Sequence, residues 1–257
     1  MPELPDLEIF AKNLKKLFAG KKVTKIKVIN GKKLFHNQAE LSRNLVGKTI
    51  EDIYRSGKEM RMTISGGTIV GFHLMLTGDI FLFNDKNDYK STIVEIHFND
   101  GSGFALTDRM KNASIKLNPE EKKGVDAMSI TYNQLKHILD RKAIIKNVLL
   151  DQNLIRGIGN GYSDEILWET RISPFSISKT LPDEKVRELA KAIKKVLKTA
   201  IKKISKAYPD ITHGEVKDFH KIHTKNHTKS PTGAAIQIAA RGMLKTYYTE
   251  EQVLYQE

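Results

Sequence analysis

Met1 precedes Pro2-Glu3-Leu4-Pro5-Asp6. Removal of Met1, usual when a small residue follows it, makes Pro2 the terminus and its nitrogen a secondary amine. A terminal α-amino group has a pKa of about 8, more than two units below lysine, so roughly a tenth of it is unprotonated at neutral pH. Such an amine attacks an aldehyde-level carbon and forms a Schiff base, and Glu3 next to it is a proton donor. On their own these residues read as an ordinary chain start, and the rest of the chain has to decide between the two readings.

A second stretch with chemistry in it runs from Asp151 to Trp168 and contains Arg156-Gly157-Ile158-Gly159-Asn160-Gly161-Tyr162. Two glycines framing a β-branched residue, followed by Asn and a helix start, expose backbone N–H groups beside the positive end of a helix, which is a phosphate seat. Gly-x-Gly alone is a generic turn; the longer pattern carries the reading. The charge agrees with it: 43 Lys+Arg face 30 Asp+Glu, a formal net charge of +13. That balance points to a polyanion, nucleic acid first and an acidic membrane second, although a basic soluble protein has the same count. The absence of cysteine excludes disulfides, cysteine-held zinc and thiol catalysis. No apolar run is long enough to span a bilayer and no signal-peptide pattern opens the chain, so a cytoplasmic, nucleoid-associated location is expected.

The 257 residues suit one large or two modest domains, and two are expected. Leu4, Leu7, Ala11, Leu14, Leu17 and Phe18 recur at helical spacing, with Gly20 as a stop, so one amphipathic helix holds the N-terminus against a core. Strand-like runs follow at 23–29, 60–64, 68–74, 80–83, 92–98 and 104–107, separated by Ser65-Gly66-Gly67, Asn84-Asp85 and Asn99-Asp100-Gly101, a β-sandwich or barrel pattern. Helical periodicity resumes at 131–140, where Thr131 and Gln134 form a capping box, and continues at 143–150, 162–170 and 182–207. The lysines on the outer face of that last helix read as a solvated face. A hairpin pattern at 235–239 and 245–248, around Arg241-Gly242, ends the chain. The expected fold is α+β, with a catalytic helix-plus-β-sandwich domain at 1–118, a linker at 119–130, a helical domain at 131–210 and a finger hairpin at 211–257.

Pro2-Glu3-Leu4-Pro5, His73-Leu74-x-x-Thr77-Gly78 and the stretch from Asp151 to Trp168 with Arg171-Ile172-Ser173-Pro174 resemble the formamidopyrimidine-DNA glycosylase and endonuclease VIII family of base-excision repair enzymes. The match is collinear along the chain, tightest at 1–8 and 151–174. The resemblance implies an N-terminal helix and β-sandwich, then a helix–two-turns–helix domain with a hairpin finger, with damaged double-stranded DNA bound between them. It implies a monomer with no cofactor and no membrane. It assigns Pro2 as the nucleophile at C1′ of the damaged nucleotide, Glu3 as the acid that helps open the sugar, and Lys58 as a contact to the phosphate beside the lesion. Gly159 and Asn160 seat another phosphate. Arg241, or its rival Lys245, is the finger cation, and His73, Leu76, Arg109 and Met110 face the DNA, with Leu76 or Met110 as the wedge and Arg109 toward the orphan base. The implied activity is bifunctional: Pro2 displaces the base, and β- and δ-elimination cut the strand.

The departures from the family pattern carry expectations too. Where most members hold the finger with cysteines around zinc, this chain reads Thr249-Glu250-Glu251-Gln252, so a zincless finger is expected, kept by packing of Ile236, Ile238, Tyr247 and Tyr248. His213, His220, His223 and His227 are the one imaginable metal cluster and read instead as loop or phosphate-facing residues. His220 follows Gly214 to Phe219 at once, where 8-oxoguanine-removing members carry a loop over the flipped base. An open pocket is expected, favouring abasic sites and helix-distorting lesions over 8-oxoguanine paired with cytosine. Two other readings stand beside the enzyme: a non-catalytic damaged-DNA binder of the same fold, and an RNA- or ribosome-associated protein, which Pro2-Glu3 with Lys58 argues against.

Overall fold

The computed structural model describes residues 1–241 and 244–256, with Arg241 described by its backbone alone. The chain forms two compact units, 1–121 with 204–215 and 122–203 with 216–257.

The first unit opens with α1 (Leu4–Phe18), which buries Leu4, Leu7, Ala11, Leu14 and Phe18 as the helical spacing expects and Phe10 besides, while Leu17, expected on the same face, is 39 % exposed near the helix end. The helix stops before Gly20, whose φ of +84° suits glycine. Two antiparallel sheets follow. One has the order β1 (Val23–Val28), β6 (Thr92–Phe98), β7 (Ser102–Asp108), β5 (Gly78–Asn84); the other has β2 (Ile50–Ser56), β3 (Glu59–Ile64), β4 (Thr68–His73), β8 (Ser114–Leu117). Apolar side chains of both sheets and of α1 share a single core, and Phe72 of one sheet meets Phe104 of the other at 5.8 Å between ring centroids.

Three elements of this unit differ from the sequence expectation. A short helix, α2 (Gln38–Leu45), is capped by the Asn37 side chain, which accepts from the Glu40 N–H, but it buries only Leu41 and Leu45 and so has a weak periodic signal. Strand β2 carries a bulge between Ile50 and Asp52, which puts the buried residues Ile50 and Ile53 three apart and breaks the alternation a strand normally shows. Strand β8 is four residues long, too short for a pattern.

The second unit contains β9 (Val125–Asp126), α3 (Tyr132–Leu139), α4 (Ile145–Leu150), β10 (Ile155–Arg156), α5 (Asn160–Glu169), all but the last turn of α6 (Asp183–Ala207) and a hairpin of β11 (Gln237–Arg241) and β12 (Leu244–Tyr248). The capping box at the start of α3 is present, with the Thr131 N–H donating to Gln134 Oε1 at 2.9 Å. In α6 the face with Val186, Leu189, Ile193 and Leu197 is buried, while Lys191, Lys198 and Lys202 are exposed. Among the described residues no helix is long and apolar enough to cross a membrane.

Candidate active site and nucleic-acid contacts

In the first unit the chain start is built into the fold. The Asp6 carboxylate accepts from the Glu3 N–H at 3.0 Å and fixes the entry to α1, and Pro5 sits in the first turn, where a missing N–H costs no helix bond. Pro2 and Glu3 are buried. The Met1 ammonium donates to Glu215 Oε2 at 3.1 Å. Met1, Pro2, Leu76, Arg109 and Glu215 line one cavity of about 400 Å³. Glu215 reaches it because its segment is tied to β5: the Gly214 N–H donates to Asp79 Oδ1 at 2.7 Å and the Thr212 hydroxyl to the Ile80 carbonyl at 3.4 Å, and Gly214 turns with a φ of +87°.

Lys58 lies in the two-residue turn between β2 and β3, where Gly57 takes a φ of +61°. The turn is fastened to α1, since Arg55 Nε donates to Glu8 Oε2 at 2.7 Å while Arg55 Nη1 donates to the Gly57 carbonyl at 3.1 Å. Lys58 is half-buried and is not among the residues lining the cavity of Pro2. His73 ends β4, and its Nδ1 accepts from the Met75 N–H at 3.2 Å, holding the loop that displays Leu76.

Leu76 and Met110 are 56 % and 52 % exposed, large apolar side chains standing in solvent on two loops beside the cavity. One buried residue that sequence reasoning left without a role joins those loops. Asp108 Oδ1 accepts from the Thr77 hydroxyl and, at 2.9 Å, from the Met110 N–H; Oδ2 accepts from the N–H groups of Asn112 at 2.7 Å and Ala113 at 2.8 Å. Burial pushes the Asp108 carboxyl up, but the Thr77 hydroxyl and the three backbone donors outweigh it and hold it below the usual carboxylate range. Four donors converging on a carboxylate also explain why Lys111 tolerates a φ of +55° in that loop.

In the second unit the glycine stretch forms the expected helix entry. Gly159 is the N-cap of α5 and Gly157 takes a φ of +103°. Gln152 shapes the loop from inside, accepting from the Gly157 N–H at 2.9 Å and donating to the carbonyls of Leu150 and Ile158. The Asn160 side-chain amide donates to the Lys245 carbonyl at 2.9 Å, so two residues expected to meet phosphate are brought together. Arg241 pairs through its backbone with Leu244, opposite the turn; its side chain, and Gly242, lie outside the described residues.

Two consecutive acids of α5 anchor the hairpin and the segment that precedes it. Asp164 is fully enclosed: Lys146 Nζ lies 2.6 Å from Oδ1, while His223 Nδ1 and the Tyr247 N–H lie 2.7 and 2.9 Å from Oδ2. Lys146 also donates to the Thr246 hydroxyl at 2.9 Å. Glu165 accepts from the backbone N–H groups of Lys221, Ile222 and His223, each at 2.9 Å. His213, His220, His223 and His227 all lie in loops, as expected; His223 faces the Asp164 carboxylate and buried His220 bonds to the His223 carbonyl at 3.1 Å, so these two turn inward, while His213 and His227 are exposed. The packing expectation for the hairpin holds for Tyr247 and Ile236, which meet Trp168 and Ile222, and for Tyr248, whose ring meets Phe175 at 5.1 Å. It fails for Ile238, which is 56 % exposed: the strand that packs on α5 is β12, and the two-stranded hairpin offers β11 no second layer.

Residues 1–115 match the formamidopyrimidine-DNA glycosylase N-terminal domain and residues 118–209 the formamidopyrimidine-DNA glycosylase H2TH domain. The formamidopyrimidine-DNA glycosylase of Ligilactobacillus salivarius is 33 % identical over 216 residues, 78 % of this chain and 77 % of that protein. That of Lactobacillus gasseri is 30 % identical over 277 aligned positions, 99 % of this chain and 100 % of the relative. The fold matches that of the Lactococcus lactis Fpg in its complex with abasic-site DNA, with a TM-score of 0.86 at 24 % identity over 96 % of this chain and 97 % of that one. With both domains and near-complete relatives matched, the chain belongs to the formamidopyrimidine-DNA glycosylase family.

Proposed function

We propose that this chain is a base-excision DNA glycosylase that is also an abasic-site lyase, acting as a monomer in the cytoplasm on damaged duplex DNA. The observation that carries the reading is the chain start: Pro2, held by the α1 entry, opens into a 400 Å³ cavity with Arg109 and the exposed Leu76 on its rim. Chemistry at C1′ requires the nucleotide to leave the stack, at a cost of a few kcal/mol that is smallest for a damaged, weakly paired base. Leu76 or Met110 fills the gap, Arg109 meets the orphan base, and Lys58, His73, Gly159, Asn160, Lys245 and Arg241 hold the bent backbone. Loss of Met1 frees the Pro2 amine, which displaces the base while Glu3 protonates the opening sugar. The Schiff base then acidifies the C2′ proton, and elimination cuts the strand. The chain runs from Gly214 through Phe219 straight into His220, without the loop that 8-oxoguanine-removing members carry there, and this supports a preference for abasic sites and distorted bases over 8-oxoguanine opposite cytosine.

Borohydride tests this directly. The reagent should trap a covalent complex on abasic-site duplex, Pro2→Gly should weaken trapping, and an N-terminal extension should abolish it. Trapping that survives a blocked terminus rules out Pro2 as the nucleophile; DNA binding with neither trapping nor cleavage identifies a damage binder.

A further inference from the structure

The residue that shields Pro2 also outlines the space its substrate occupies. In the bond between Met1 and Pro2 the Met1 carbonyl carbon joins the Pro2 nitrogen through a planar, partly double bond. A Schiff base between Pro2 and an opened abasic sugar has the same pattern, a planar bond from the nitrogen to C1′ with C2′ beyond it. Atom for atom, the Met1 carbonyl carbon stands in for C1′, the Met1 Cα for C2′, and the Met1 nitrogen for a substituent on C2′. That nitrogen lies 3.1 Å from Glu215 Oε2.

We propose that Glu215 is a catalytic residue of the lyase half-reaction, the base that takes the C2′ proton; the proposal rests on the reading of Pro2 as nucleophile. In the step, the C2′–H bond breaks and its proton goes to the Glu215 carboxylate. The released electron pair forms the C2′=C3′ double bond, conjugated with the iminium, and the C3′–O bond breaks with its pair leaving on the 3′ phosphate. The iminium at Pro2 is the electron sink, so no oxidant or further reactant is needed. Three features suit Glu215 to the task. Its side chain is part-exposed, at 26 %, on the wall of the cavity that Pro2 opens into. It is carried on a segment fixed to β5 through Asp79 and Ile80, so its position does not depend on substrate. Glu3, buried at the entry to α1, is left to act as the acid at the sugar oxygen, and the two proton transfers need not share one group.

The test compares wild type, Glu215→Gln and Glu215→Asp, each with Met1 removal verified by mass, on a duplex with one abasic site. For Glu215→Gln the borohydride-trapped complex should form at the wild-type level or accumulate above it, while strand cleavage slows about 10²-fold, within the usual range for loss of a general base. Glu215→Asp should recover part of the cleavage rate. Deuterium at C2′ should slow cleavage by wild type. Cleavage by Glu215→Gln at the wild-type rate overturns the proposal. So does a parallel fall of trapping and cleavage, which is what a merely structural role produces. Failure of the wild type to trap at all sinks the Pro2 reading instead, and it is read from the wild type alone.

Discussion

Asp108 shows how much of a site can rest on a side chain that does not face it. Its two oxygens gather the Thr77 hydroxyl and three backbone N–H groups, so the loops bearing Leu76, Arg109 and Met110 stand in a fixed relation. Asp108→Asn keeps the volume but replaces one acceptor oxygen with an amide donor facing N–H groups. A buried bond lost this way costs about 1–3 kcal/mol, so the melting temperature should fall and single-turnover cleavage with it. Because the folded carboxyl sits below its ordinary value, its contribution is complete above about pH 3.9 and is lost as pH falls through the lowered folded pKa. The stability gap between wild type and variant, measured by denaturant titration, should therefore be flat near neutrality and close in acid. A gap independent of pH down to 2 removes the carboxylate from the account. Pro2 and Glu3 could be proposed from the sequence because a terminal nucleophile needs only its position in the chain. Asp108 and Glu215 were not, since their meaning depends on which loops meet around them.

At the scale of elements, α5 organises the second unit. Its entry glycines form the turn proposed to seat a phosphate, and the helix presents Asp164 and Glu165 to the hairpin and to the segment at 221–223. Asp164→Asn leaves Lys146 buried beside a neutral group, and breaking a buried pair costs about 3–5 kcal/mol. The hairpin should become sensitive to limited proteolysis at residues 220–248 while residues 1–115 stay resistant, and chelators should change neither pattern. Uniform protection in the variant contradicts the anchor. The helices α1, α3 and α6 could be read from the sequence because their apolar spacing and caps are local signals. The bulged β2 and the outward Ile238 could not, because registry and the lack of a covering layer are set by partners distant in the chain.

Across the whole molecule, a net charge of +13 makes DNA affinity an ionic-strength measurement. Each phosphate contact contributes close to one unit to the slope of log affinity against log salt, so replacing Lys58 or Lys245 with Ala should each lower the slope by about one, similarly for all sequences. A slope unmoved by either change takes that residue off the backbone. The anchor of the hairpin has one more consequence. Peroxide carries thiolates up a ladder from sulfenic to sulfonic acid, and a finger held by zinc thiolates loses its metal on the way. Asp164, Lys146, Glu165 and the backbone N–H groups they engage offer no sulfur to that reaction. A cell under oxidant attack accumulates damaged bases at the moment its thiol proteins fail, and a hairpin fastened by carboxylates should keep its fold through that interval.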